Sequence, residues 1–142
     1  MSFTYEYPRP AVTTDVLLVT RNNPQKILLI ERGNNPFKGK WALPGGFVDM
    51  DEDLKDAALR ELEEETGISG VKVKQFRTYG GVNRDPRHRT ISVVYNGFVS
   101  GELECAGQDD AADARWFDLN DLPDLAFDHS LIIKEAIENL NL

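Results

Sequence analysis

The sequence predicts an α/β fold in which a mixed β-sheet lies between helices. Three observations point there. Two apolar, β-branched runs near the N-terminus are separated by a turn signal, a long stretch free of Gly and Pro carries apolar residues at helical spacing, and a second apolar stripe at that spacing closes the chain.

Taken in order, residues 11–20 and 26–31 read as the two strands of a hairpin, the second built on Ile27-Leu28-Leu29-Ile30. Asn22-Asn23-Pro24 supplies the turn. Gly33-Asn34-Asn35-Pro36 then breaks the strand and opens a loop. Residues 41–47 form a short apolar segment that enters a Pro44-Gly45-Gly46 turn, where the missing side chains let backbone approach a ligand closely. Residues 53–66 make one amphipathic helix through Leu54, Ala57, Ala58 and Leu62, and Gly67 stops it. Residues 71–79 and 90–99 read as strands. Residues 101–113 are polar and acidic and read as a loop, 115–117 as a short strand, and 118–123 as a helical turn. Ser130 caps or begins a final helix whose stripe is Leu131, Ile132, Ala136, Ile137 and Leu140.

At 142 residues the chain fits one domain, 1–142, long enough to bury a core, with no repeat or low-complexity tract. Its net charge of −8 argues against nucleic acid and anionic membrane as partners, since both attract basic surfaces. The acidity is local: residues 51–65 hold eight acids and two bases, a net of −6. The single Cys105 rules out an internal disulfide and makes no zinc site alone, so it reads as inert. Without a basic, then apolar, N-terminal segment or a long apolar run, the expectation is a cytoplasmic protein of bacterial type.

The helix at 53–66 carries the chemistry. At about 100° per residue, Glu61, Glu64 and Glu65 share a face while Glu63 points about 150° away. Like charges at i,i+3 and i,i+4 repel, and near a helix C-terminus the macrodipole disfavours them again. A bound divalent cation offsets both penalties. Mg²⁺, with Mn²⁺ as the alternative, fits because it takes oxygen ligands beside substrate phosphates. Arg60 can hold Glu64 at i+4. A second charged stretch, Arg84-Asp85-Pro86-Arg87-His88-Arg89, is the natural place for an anionic ligand in so acidic a chain, with Arg84, Arg87 and Arg89 as candidate substrate contacts.

Gly46-x5-Glu52-x7-Arg60-Glu61-Leu62-x-Glu64-Glu65-x-Gly67-Ile68 matches the Nudix box without a departure, fixing nine positions across 23 residues. On that pattern the chain resembles the Nudix hydrolases. The resemblance implies a Nudix-like α/β/α sandwich, with the box as a loop-helix-loop, and hydrolysis of a pyrophosphate bond in a nucleoside diphosphate derivative. It makes Glu61, Glu64 and Glu65 the metal ligands and adds the carbonyl of Gly45 to them. Gly46, Glu52, Arg60 and Gly67 shape the site, Glu52 through water to a second metal. The general base stays open among Glu61, Glu64, Glu104, Asp109 and Asp110, with Glu64 and Glu61 first.

The arginine loop through Thr90 and the segment Phe127-Asp128-His129 look like those of ADP-ribose pyrophosphatases and of the related Nudix domains in regulators of NAD metabolism, so ADP-ribose is the favoured substrate. Those regulators carry a winged-helix domain for which a chain ending at Leu142 leaves no room. An oxidised-nucleotide (8-oxo-dGTP-like) pyrophosphohydrolase and a non-catalytic nucleotide-sensing domain are the alternatives, and a homodimer is left open. Phe127-Asp128-His129 either walls the substrate pocket or caps a helix, and His88 and His129 read as structural or solvent-facing.

Overall fold

The structure is a computed structural model that describes residues 2–142. Its central strand is β1 (Ala11–Thr20), which runs parallel to β6 (Thr90–Val99) from Ala11↔Thr90 to Thr20↔Val99. β5 (Lys74–Tyr79) adds to the outer edge of β6 in antiparallel sense. On its other side β1 meets β2 (Lys26–Arg32) at Val19↔Ile27, and the two strands then part.

The gap between them is filled by one short stretch of chain. β3 (Trp41–Ala42) pairs with β2, and β4 (Gly45–Phe47) pairs with β1 at Thr13, Thr14 and Asp15. The Pro44 carbonyl accepts from Val16 N–H where the chain crosses between the two. β7 (Ala111–Asp118) lines the far edge of β2. Parallel and antiparallel pairs thus share one sheet, as the sequence predicts.

Two helices cover opposite faces. Successive strand residues point to opposite sides, so Val16 and Leu18 pack with Leu28 against Ala58 and Leu62 of α1 (Leu54–Thr66). Leu17 and Val19 pack with Ile27 and Leu29 against Ile132, Ile133 and Ala136 of α2 (His129–Asn139). Burying each such aliphatic side chain contributes about 1.5–3 kcal/mol, which is how a sheet of near-continuous apolar strands holds a helix on each side. At its Ala11 end, β1 turns polar: Thr13 and Asp15 lie on the α2 side, where only the first residue of that helix, His129, comes near Asp15. A cleft opens there.

Four expectations need correction. Residues 101–113 are not loop throughout, because β7 begins at Ala111; a run of three alanines and an aspartate has little β propensity, and the ladder with β2 imposes the conformation. Residues 41–47 form two strands rather than one segment entering a turn. Residues 118–123 contain a single turn, held by Asp121 N–H to the Asp118 carbonyl, and no helix. The last helix begins at His129, capped at Asp128 rather than Ser130.

Candidate active site

The α1 helix starts after Asp53 and ends at Gly67, whose φ of 79° is the left-handed conformation glycine adopts without a Cβ penalty; its N–H donates to the Glu63 carbonyl at 2.8 Å. Leu62 is fully buried beneath the helix, which fixes its rotation. Glu65 is therefore buried and lines the cleft with Glu61, whereas Glu63 and Glu64 are both exposed and Glu64 is not part of the cleft lining, although the helical spacing puts it on the face of Glu61 and Glu65.

Arg60 organises the rest of the box. Its Nη2 donates to Glu52 Oε1 at 2.6 Å and its Nε to Glu52 Oε2 at 2.9 Å, while Nη1 reaches Glu61 Oε1 at 2.9 Å and Glu64 Oε2 at 3.1 Å. A further bond to the Phe47 carbonyl ties α1 to β4. The paired guanidinium, helped by the Asp49 N–H, pulls the Glu52 carboxyl down to about 2. Glu52 and Arg60 both lie outside the cleft lining.

Gly45 and Gly46 occupy β4 directly above these carboxylates. Gly45 N–H donates to Glu65 Oε1 at 2.8 Å. A Cβ on Gly45 would overlap the Thr14 carbonyl and Asp15 Oδ1, and one on Gly46 would stand 2.5 Å from Glu61 Cδ. Both glycines are bare so that carboxylates can fit beneath the strand.

Burial pushes Glu65 up to about 8, and the Gly45 N–H only partly opposes it; the charges of Glu61 and Asp15 push it the same way. Burial also raises Glu61, against the pull of Arg60. Desolvated oxygen donors that repel one another are the donor set a hard divalent cation stabilises. The residues present therefore fit the ion. They are not gathered in advance, since among the described residues no three acidic, His or Cys side chains stand together as a ready cage. Arg60 instead holds Glu61 and Glu64, and Glu65 turns to Gly45.

The cleft has a volume of about 380 Å³. Of the candidate arginines, Arg84 and Arg87 line it and Arg89 does not; Arg89 bonds the Gly81 carbonyl at 3.3 Å from an exposed position. Arg84 is itself buried in a bidentate pair with Asp128 at 2.7 and 3.0 Å, which leaves the Asp128 carboxylate no part in capping α2. Arg87 pairs in the same way with the buried Asp85 at 2.8 and 3.1 Å and packs near the Phe47 and Phe127 rings. Burial works against the Asp85 charge, but the bonds from Arg87 and Thr90 outweigh it and hold the carboxyl at about 2.

Arg32, which the sequence reading passed over, lies over the Phe127 ring at 4.9 Å, and among the described residues its side chain makes one hydrogen bond, from Nε to the Pro36 carbonyl at 2.7 Å. No ion pair engages it among the described residues, so the two terminal amino groups of its fork face the cleft without a carboxylate partner. The position after an apolar run and before a Gly-Asn-Asn loop was the available signal. Of the contending bases, Asp110 lines the cleft with Glu61, while Glu64, Glu104 and Asp109 do not.

The cleft floor was also missed. Ser92 Oγ donates to Asp15 Oδ2 in a short hydrogen bond, and His129 is buried beside them, its Nδ1 accepting the Leu43 N–H at 3.0 Å. Phe127 and His129 do wall the pocket, so that expectation for the segment holds, and Phe127 takes a left-handed φ of 53° to do so. An acid inside an otherwise apolar strand was the signal for Asp15, because an ionisable side chain there needs a partner or a purpose.

The NUDIX domain family model matches residues 9–140. An ADP-ribose pyrophosphatase of Methanocaldococcus jannaschii is 48% identical over 130 residues, spanning 91% of this chain and 74% of that protein. The ADPR responsive transcriptional repressor NtrR of Acinetobacter baylyi is 36% identical across 96% of the chain, which spans only 56% of the repressor. Among solved structures, the NUDIX domain of Shewanella oneidensis NrtR complexed with ADP ribose superposes with a TM-score of 0.87 at 36% identity, covering 94% of this chain and 90% of that one. A MutT/nudix family protein of Enterococcus faecalis does so with a TM-score of 0.88 at 34% identity, covering 99% of this chain and 65% of that one. With an intact box on α1, a sheet sandwiched between two helices and these relatives, the chain belongs to the Nudix family.

Proposed function

We propose that the protein hydrolyses the pyrophosphate bond of ADP-ribose, yielding AMP and ribose 5-phosphate, with Mg²⁺ as its cofactor and residues 1–142 as one catalytic domain. The observation that carries this reading is the meeting of the Glu61/Glu65 pair with an arginine-lined cleft. The M. jannaschii and S. oneidensis relatives support the choice of nucleotide. Glu61, Glu64 and Glu65, with the Gly45 carbonyl, would hold a divalent ion, which would supply neutralisation of phosphate charge and a lowered pKa for water.

The chain's own residues do the rest. Arg32 offers the diphosphate a guanidinium that no carboxylate holds in an ion pair among the described residues, although Glu65, Asp85 and Asp110 lie near enough to act on its charge, and Arg84 and Arg87 add positive potential from fixed pairs. Glu64 or Glu61 takes the proton as water adds to phosphorus and the P–O bond to the leaving phosphate breaks. A nucleotide substrate fits a cytoplasmic location. The charge of −8 works against nucleic acid as a partner, although the related S. oneidensis NrtR has been crystallised with a 27mer DNA.

The test is direct. With Mg²⁺ and ADP-ribose the protein releases AMP, while 8-oxo-dGTP yields little pyrophosphate. Pyrophosphate release as the faster reaction would move the assignment to a triphosphate, and no turnover of either would overturn catalysis.

A further inference from the structure

On the cleft floor, Asp15 on β1 and His129 at the start of α2 face each other with Oδ1 and Nε2 4.0 Å apart. That is too long for a hydrogen bond. Both atoms are otherwise unengaged among the described residues: Asp15 spends Oδ2 on Ser92, and His129 spends Nδ1 on Leu43 N–H. Both residues are more than nine-tenths buried, yet both line the cleft.

The protonation of the pair follows from its bonds. Burial pushes the His129 pKa down, against the pull of Asp15 and Asp128, so the ring is neutral at pH 7. A neutral imidazole that accepts at Nδ1 carries its proton on Nε2. The pair therefore presents one donor and one acceptor, side by side. An oxygen about 2.8 Å from each, the usual O–H···O distance, closes an angle of roughly 90° over a 4.0 Å base.

We propose that Asp15 and His129 read a sugar hydroxyl of the substrate, which donates to Asp15 Oδ1 and accepts from His129 Nε2–H. A phosphate oxygen cannot donate, and a carbonyl cannot either, so both leave the carboxylate unanswered. A water satisfies the pair as well as a hydroxyl does, which makes the recognition a matter of replacing water without loss. Ser92 positions the carboxylate, and Gly45, by lacking a Cβ, leaves Oδ1 uncovered. The inference rests on the ADP-ribose reading and adds to it which kind of group selects the ligand. A site built to bond a hydroxyl rejects an analogue without one by a large factor, because its buried polar atoms are then stranded.

Calorimetric titration in EDTA separates this from catalysis. The ligands are ADP-ribose and its analogues lacking single hydroxyls on the adenosine ribose or the distal ribose. The variants are Asp15→Asn and His129→Asn; the second places Oδ1 where Nδ1 accepts from Leu43 N–H but removes the Nε2 donor. We expect the wild type to bind one deoxy analogue at least 10-fold more weakly than ADP-ribose. Each variant should lose about that factor for ADP-ribose and almost nothing further for that analogue, and which ribose is read follows from which analogue it is. Equal losses on every analogue, or none on any, overturn the inference while leaving the ADP-ribose assignment in place. Failure of the wild type to bind ADP-ribose both in EDTA and with Ca²⁺ added in place of Mg²⁺ overturns both. If His129→Asn melts early, Asp15→Asn alone decides the matter.

Discussion

Gly46→Ala is the sharpest probe of the carboxylate cluster. The added Cβ would stand 2.5 Å from Glu61 Cδ and 2.6 and 2.7 Å from its two oxygens, where ordinary carbon contacts lie at about 3.5–4.0 Å. Glu61 must retreat by about 1 Å. The backbone at Gly46 has no positive φ, and the neighbour that yields is the end of a side chain, so the fold survives with a change in melting temperature of only a few degrees. Glu61 cannot retreat without also loosening the Arg60 Nη1 bond that it shares with Glu64. A displacement of about 1 Å at a catalytic group costs about 100-fold in rate, equivalent to about 2.7 kcal/mol of barrier. Steady-state kinetics on ADP-ribose at saturating Mg²⁺ should show that loss in kcat, with KM changed by less than about threefold. A variant that melts with the wild type and keeps kcat within threefold refutes the claim that the position of Glu61 matters.

Other expectations follow from burial and pairing. Glu65 has a folded-state pKa of about 8 against 4.5 when free, so its contribution is fully present below pH 4.5 and is lost as pH rises through 8; chemical denaturation in EDTA should show a decline of a few kcal/mol across that window, Glu65→Gln should flatten it, and millimolar Mg²⁺ should oppose it. A flat profile in EDTA would mean that Glu65 ionises freely. Arg84→Ala strips the partner from Asp128 and should cost about 2–4 kcal/mol in urea melts; a raised KM with unchanged stability would instead make Arg84 a ligand contact. Glu64→Gln should remove most activity and Glu63→Gln almost none, in a side-by-side AMP release assay, and equal losses would contradict the helical face.

The parts that proved legible are those where one local rule dominates. Residues 53–66 have an unbroken helical period and a glycine stop, so α1, the burial of Ala57, Ala58 and Leu62 and the orientation of Glu61, Glu63 and Glu65 followed from about 100° per residue, while Leu54 and Glu64 stay exposed. The parts that did not are set by partners distant in sequence. β7 takes its conformation from β2, and β1 finds its parallel neighbour 79 residues along at Thr90. Arg84 and Arg87 line the cleft, but pairing with Asp128 and Asp85 decides how free they are, and no spacing rule reports that. Arg32 and Asp15 matter because of what surrounds them in space.

The Arg60 guanidinium bears on how the protein comes to exist at all. By bridging Glu52, Glu61 and Glu64, it gives the acidic helix a counter-charge encoded in the same gene, within hydrogen-bond reach of Glu61 and Glu64 on α1 and of Glu52 in the turn before it. The acidic helix thus carries its own counter-charge, and its assembly does not wait on a bound cation. Arginine suits that duty better than lysine, because one planar group spans several carboxylates at once and does not lose its charge.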